Sequence, residues 1–190
     1  LRVNAGQGGP RTISAILDNT GMVELGASCG IGKPIGRHVN RGVLALAAGT
    51  TTFSGLTFEN QSSGRITGVG TLDVSGVRFE NAGAIRPGSS VGTLTFKGAC
   101  RLLPSSVVEI ELAGSDNGVI HDRLVIDGTA YLQGALQLER IDAVVPDEGS
   151  SFHVIDFTEG YGLFGQLTGT VINEDLKFEV TYQPTHVLVQ

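Results

Sequence analysis

The sequence predicts an all-β chain and, within that class, a parallel β-helix (a β-solenoid) ending in irregular C-terminal coils or a β-rich cap. Three observations carry the prediction. The first is composition: 190 residues hold 28 Gly but one Met and no Trp, with 41% hydrophobic and 17% charged residues. Long helices tolerate that much glycine poorly, since each Gly gives up roughly 1 kcal/mol against Ala, and the glycines lack the three-residue period of collagen. The second is an internal repeat of about 21 residues, within the range of solenoid proteins. The third is a series of short alternating stretches punctuated by Gly, Asn and Ser, as strands are by turns.

Four asparagines show the repeat most directly. Asn19-Thr20-Gly21, Asn40-Arg41-Gly42, Asn60-Gln61-Ser62-Ser63-Gly64 and Asn81-Ala82-Gly83 share one phrase. A strand start follows each glycine, as Met22-Val23, Val43-Leu44, Arg65-Ile66 and Ala84-Ile85. Two residues before each Asn stand Leu17, His38, Phe58 and Phe79. A second phrase, Val69-Gly70-Thr71-Leu72-Asp73-Val74-Ser75-Gly76, returns as Val91-Gly92-Thr93-Leu94-Thr95-Phe96-Lys97-Gly98.

Such a unit is too short for two helices but suits one coil of short strands joined by turns. Stacked coils set equivalent residues about 4.8 Å apart. Leu17, Phe58 and Phe79 are then expected in one interior apolar stack, and Val23, Leu44, Ile66 and Ile85 in another. Asn19, Asn40, Asn60 and Asn81 are expected to form an amide ladder at a tight turn. The glycine after each Asn is expected to supply a positive φ at the bend. His38 takes a place in the Leu/Phe stack, either tucked in with both nitrogens bonded or marking a local departure. An antiparallel β-sandwich with incidental repetition is the competing architecture.

Beyond Gly98 the Asn-Gly phrase stops while strand-like segments continue. They are Val107 to Leu112, Arg123 to Ile126, Ala130 to Leu138, Phe152 to Phe157, Leu176 to Tyr182 and Val187 to Val189. Their spacing is shorter and less even. Residues 1–113 therefore read as regular β-helix coils, and residues 114–190 as irregular terminal coils and a β-rich cap. A cap is needed because an open end presents unpaired N–H and C=O groups. Leu176 to Tyr182, alternating and stopped by Pro184, is the expected edge-covering strand. At the other end nothing reads as a cap or a signal peptide, so the chain is expected to be a mature product or a fragment of a longer protein.

The run Phe79-Glu80-Asn81-Ala82-Gly83-Ala84-Ile85-Arg86-Pro87-Gly88-Ser89-Ser90-Val91-Gly92-Thr93-Leu94 resembles the β-strand repeats of bacterial autotransporter passengers and related secreted adhesins. In those repeats a phrase N-x-G-x-I-x-P-G-x-S-x-G-T-L is frequent. Glu109 to Gly114, Asp122 to Gly128 and Gly134-Ala135-Leu136 continue the pattern, and Pro146 to Ile155 is similar to a segment near the end of such passengers. The resemblance covers most of residues 50–160 and implies an exported parallel β-helix. It implies no particular activity, because these repeats serve adhesins, scaffolds and enzymes alike.

Charge and cysteine content narrow the partners. The formal net charge is −6 and the 13 Lys and Arg are scattered, unlike the basic stripe of a nucleic-acid surface. No apolar run approaches the ~20 residues of a membrane span. Cys29 and Cys100 lack metal-ligand spacing. They lie about three and a half repeat units apart, ~16 Å at the strand spacing of a stack, which is too far for a disulfide. Two separate thiols, packed as small hydrophobes, are expected.

One pairing has enzymatic character. The residues before the repeat asparagines are Asp18, Val39, Glu59 and Glu80, so Glu59 and Glu80 fall about one strand spacing apart. That is near the ~5 Å between the carboxylates of retaining glycosidases. Beside Arg65, Arg78 and Arg86, however, they read as a solvated charged face of little energetic weight. No His, Arg or Lys completes an acid–base site. Asp116-Asn117-Gly118, Asp122 and Asp127 offer hard oxygen ligands of the kind Ca²⁺ takes. They match neither the EF-hand nor the Gly-rich nonapeptide, and read as turn formers. His38, His121, His153 and His186 show no ligand spacing. Gly68-Val69-Gly70 lacks the Lys and the helix of a phosphate loop. No catalytic residue, metal or cofactor is expected.

The resulting expectation is a secreted or cell-surface structural or adhesive solenoid, part of a larger passenger or a self-assembling filament. Head-to-tail copies and a host or glycan surface are its expected partners, without nucleic acid or membrane insertion. Two other classes compete. A polysaccharide-acting β-helix enzyme would gather acids and basic residues in a cleft on one face, and a phage or virus fibre would carry trimer-sealing apolar faces.

Overall fold

The computed structural model describes residues 1–4, 6, 11–115, 118–141, 144–147 and 149–190, and among these the chain is almost entirely β with no α-helix. Short strands come first: β1 (Arg2–Val3), β2 (Arg11–Ile13), β3 (Asp18–Asn19), β4 (Met22–Leu25), β5 (Cys29–Gly32), β6 (Arg37–Asn40) and β7 (Val43–Leu46). Longer ones alternate with short ones next: β8 (Thr50–Asn60), β9 (Arg65–Gly68), β10 (Gly70–Asn81), β11 (Ala84–Pro87), β12 (Thr93–Lys97) and β13 (Cys100–Leu102). Then follow β14 (Val107–Ser115), β15 (Gly118–His121), β16 (Arg123–Leu132) and β17 (Ala135–Arg140). The chain finishes with β18 (Phe152–Gly162), β19 (Gln166–Thr168), β20 (Val180–Gln183) and β21 (His186–Val189).

Two sheets take these strands in turn. One runs β1-β4-β7-β9-β11-β14-β17-β19, and the other runs β2-β5-β8-β10-β12-β16-β18-β21-β20 with β3, β6 and β13 paired beside it. Each repeat unit contributes to both sheets, and each strand pairs with the equivalent strand of the next unit. From β1 to β19 every strand pairing is parallel except the β14–β15 hairpin. Hairpin-built sandwiches pair antiparallel, so that architecture is excluded.

Register brings like residues together. Val23 pairs with Leu44, Leu44 with Ile66 and Ile66 with Ile85, all essentially excluded from solvent. In the other sheet His38 pairs with Phe58 and Phe58 with Phe79. Phe53 stacks on Phe58 with ring centres 4.2 Å apart, and Phe79 meets Phe58 at 5.3 Å and Phe96 at 5.2 Å. Leu17 is only half-buried and packs at the margin of this core. Inward residues of both sheets belong to one apolar cluster. Cys29 and Cys100 are buried within it as free thiols, and burial pushes Cys100 up to about 12.

The glycines of the Asn-Gly phrase correct one expectation. Gly21, Gly42, Gly64 and Gly83 all have ordinary negative φ. The requirement is close approach instead: a Cβ on Gly42 would lie 2.1 Å from the Gly21 carbonyl oxygen, and one on Gly83 2.1 Å from that of Gly64. At Gly42 and Gly83 the carbonyl of the preceding unit sits beneath the glycine, where it also accepts the N–H of Val43 or Ala84. A Cβ on Gly64 would instead meet Asn60 Oδ1 at 2.3 Å and Asn40 O at 2.4 Å, whereas one on Gly21 would meet open space. Clearance, not handedness of the backbone, selects glycine at the three crowded positions.

Parallel pairing does not stop at residue 113. β12 pairs with β16, β14 with β17, β16 with β18 and β17 with β19. Antiparallel pairing enters at the end, where β21 lies against Phe152–Asp156 of β18 and β20 against β21. The strand expected over Leu176 to Tyr182 begins only at Val180. The Asn173 side chain accepts the N–H groups of Asp175 and Leu176, bending the chain in an Asx turn. Phe178 points inward and donates its N–H to Thr170 O, and it is β21, not that segment, that covers the edge of β18.

Phe58, with no exposed surface and packed between Phe53 and Phe79, is the severest test of this core. Phe58→Ala is expected to cost about 3–5 kcal/mol in urea unfolding; a loss below ~0.5 kcal/mol would be a surface effect and would place the ring outside.

Candidate functional site

The four asparagines end strands β3, β6, β8 and β10, and all four are buried. Asn19 Nδ2 donates to Asn40 Oδ1 at 2.7 Å, Asn40 Nδ2 to Asn60 Oδ1 at 2.7 Å, and Asn60 Nδ2 to Asn81 Oδ1 at 2.6 Å. All three bonds run in the same direction, so the amide dipoles add along the stack. Each amide also ties down its own turn. Asn40 donates to Gly42 O at 3.0 Å and Asn81 to Gly83 O at 2.9 Å, while Asn19 Oδ1 accepts the N–H of Gly21. Asn19, Asn40 and Asn60 spend both amide hydrogens on internal partners, and Asn81 spends one on Gly83 O, an arrangement that suits a spine. In register beyond Asn81 comes Leu102, so the amide row ends and an apolar one takes over.

His38 is tucked in. Its Nδ1 accepts the Leu17 N–H at 3.0 Å and its Nε2 faces Ser54 O at 3.0 Å, which sets the hydrogen on Nε2. It replaces a ring of the aromatic row and meets Phe53 edge-on at 5.2 Å.

Glu59 and Glu80 are register partners on adjacent strands, and Arg78 pairs with Glu80 at 3.3 Å. Arg65 and Arg86 do not join them. A turn carries each to the other sheet, where Arg65 pairs with Glu109 at 2.5 Å and Arg86 with Glu111, with Glu139 at 3.5 Å and Glu109 at 3.8 Å. Three strands, β11, β14 and β17, are thereby clipped through one guanidinium. Burial alone would lower the Arg86 pKa, but the hydrogen bond and charge of Glu111, with Glu139 and Glu109, raise it overall. Glu111 and Glu139 are like charges in direct register, a repulsion that Arg86 offsets.

Behind this cluster lies Asp122, with no exposed surface. Oδ1 accepts the Gly92 N–H at 2.8 Å and Oδ2 the Glu111 N–H at 3.0 Å, fastening the 88–92 loop to β14. Burial pushes its carboxyl up to about 7, with Glu111 adding to the rise and the two N–H bonds and Arg86 opposing it. Asp122 is thus a structural tie facing inward rather than an oxygen ligand for Ca²⁺. Asp127 is exposed and in register with Lys97, and Asp116 and Asn117 lie outside the described residues. Among the described residues no three His, Cys, Asp or Glu side chains converge as metal ligands.

Sequence reasoning missed the Arg86 cluster because its carboxylates come from units separated by uneven lengths; the β14–β15 hairpin breaks the count between Glu111 and Glu139. The available signal was the alternation within Glu109-Ile110-Glu111, which puts both acids on one outer face. Comparison of the sequence with models of known protein families found no match, and comparison with curated proteins found none either.

Two outcomes follow from the ladder and from Asp122. Asn60→Leu leaves the buried Asn81 Oδ1 without a donor, while the Asn40 amide keeps Gly42 O and Arg65 O; after Asn81→Leu the Asn60 amide still reaches Gly64 O and Ala84 O. At about 1–3 kcal/mol per buried orphan, the first variant should lose about that much more unfolding free energy than the second; equal losses would show that the amides are not coupled. For Asp122 the folded pKa of about 7 exceeds the ordinary 3.8, so the folded state holds the proton more tightly. Its contribution is full below the ordinary value and is lost as pH rises through about 7. Denaturant unfolding of the wild type should therefore weaken from pH 5 to pH 8, and Asp122→Asn should flatten that dependence whatever its own stability.

Proposed function

We propose that the chain is a stretch of parallel β-helix closed at its C-terminal end by the β20–β21 hairpin, serving as a structural or adhesive rod on a secreted or cell-surface protein of the autotransporter-passenger kind. The observation that carries the reading is the amide row, Asn19 to Asn81, in unbroken register over four successive units. A buried ladder of this sort is useful where identical units must stack without slipping, because an offset by one residue would bury unpaired amides.

Two further features support it. The outer charges are spent on clips between units, as with Arg86, Arg65 and the Arg41–Asp18 pair. Parallel edges invite added strands, and the antiparallel β21 blocks part of one. No helix among the described residues is long and apolar enough to cross a membrane. The proposed rod works by geometry: it is rigid because every unit is bonded to both neighbours, and it displays whatever its outer faces carry.

The reading is tested on cells that make the whole gene product. Antibody raised against residues 1–190 should label intact cells or the medium, and added protease should remove that signal without lysis. Signal found only after lysis overturns the surface assignment. Native mass spectrometry of the purified chain should give a monomer or an open series of head-to-tail oligomers; a closed trimer would favour the fibre class instead.

A further inference from the structure

The corner where β13, β16 and β18 turn toward the first sheet carries an aromatic face that the rod does not need. Arg101, Tyr131 and Tyr161 occupy one register position on these three strands. The Arg101 guanidinium carbon lies 4.3 Å from the centre of the Tyr131 ring, and Tyr131 and Tyr161 stack at 5.6 Å with an 18° angle between planes. Because β21 pairs only with Phe152–Asp156, no strand among the described residues lies beyond Glu159–Gly162. Tyr161 is consequently 51% exposed, and its hydroxyl donates to Glu159 at 2.6 Å.

Just past the ends of these strands, in the turns that lead to the first sheet, a shallow groove of about 630 Å³ opens across three units, lined by residues that include Ser105, Gln133, Leu163 and Gln166. None of its lining residues carries a charge, in a chain whose net charge is −6. Leu163 is 60% exposed there, and the Gln133 and Gln166 side chains also face solvent.

We propose that this corner binds a neutral oligosaccharide, with one sugar ring on the open face of Tyr161 and its neighbours extending into the adjoining groove. The chemistry of the corner selects the occupant. The uncharged groove lining gives no grip to an anionic polymer, and Arg101, the cation of the row, lies on the Tyr131 ring two strands from the Tyr161 face. Amide and hydroxyl groups that both donate and accept match sugar hydroxyls. A flat aromatic face backed by a second ring offers the apolar side of a pyranose a rigid seat of low entropic cost. Glu159, beside the Tyr161 hydroxyl, adds an acceptor at the rim. The groove is open and elongated rather than enclosed, unlike a pocket for a compact small molecule. The units repeat at about 4.8 Å, close to the length of one sugar residue. The proposal rests on the surface reading above only for where the sugar would come from; binding by the purified chain succeeds or fails independently of localisation.

The chain has three Tyr and no Trp, and two of the three, Tyr131 and Tyr161, are at this site, so most of its intrinsic fluorescence comes from there. Soluble β-glucan, xylan and starch oligosaccharides, each titrated into purified chain, should include at least one that changes tyrosine emission saturably. Affinity electrophoresis through gels containing the same polysaccharides should show matching retardation. Tyr161→Ala should weaken binding about tenfold or more, as loss of a stacking ring implies, with an unchanged melting temperature because the side chain is exposed. Tyr161→Phe should retain most of it, and Gln166→Ala should weaken it independently of either ring. No response to any neutral glycan, retardation by pectate alone, or equal binding by wild type and Tyr161→Ala would each overturn the proposal. So would competition for the site by unrelated extended peptides at equal affinity, which would mark it as a protein-docking corner.

Discussion

A buried amide needs a partner for its acceptor and for both hydrogens of its donor, and in this chain Asn40 and Asn60 find them in the asparagines on either side and in their own turns. That constraint sets the register of β6, β8 and β10, and the register then decides what the outer and inner faces present. With the asparagines aligned, His38, Phe58 and Phe79 fall into one row and Leu44, Ile66 and Ile85 into another. A slip by one residue would turn the apolar rows outward and leave the amides unpaired. The polar row and the apolar rows therefore select the same arrangement, the agreement between levels that marks a well-specified fold.

Farther along, the row changes character. Leu102 follows Asn81 in register and Leu132 is opposite Gly162, so the later units are held by apolar packing and by ties such as Asp122. In β18 a glycine makes room for a large neighbour. Gly160 has no room for a Cβ, which would sit 2.4 Å from the Phe157 ring. The outer surface follows a similar division, with Arg86 clipping three strands of one sheet and Arg101, Tyr131 and Tyr161 lining up on three strands of the other.

Much of the stack was legible because its period is in the chain itself: a repeated Asn, a repeated glycine after it, and an apolar residue two places before it. The role of the glycine was misread, since a turn signal in sequence does not say whether φ or clearance demands it; only the position of the Gly21 and Gly64 carbonyls under Gly42 and Gly83 decides that. The pairing of Arg65 and Arg86 was misplaced for a related reason. Nearness in sequence to Glu59 and Glu80 means nothing once a turn carries the arginines to another sheet.

Sequence alone determined the strand-rich class, the repeat and the identity of the residues that stack, because these depend on local alternation and on a period that recurs at short range. Tertiary structure alone decided which distant carboxylates meet Arg86, that β21 rather than the segment before Val180 covers β18, and that Tyr131 and Tyr161 lie face to face. Those contacts join units separated by stretches of unequal length, where the β14–β15 hairpin and the turn at Asn173 interrupt the count. A repeat can be read forward only while its period holds; past an insertion, position along the stack is set by which edges remain to be paired.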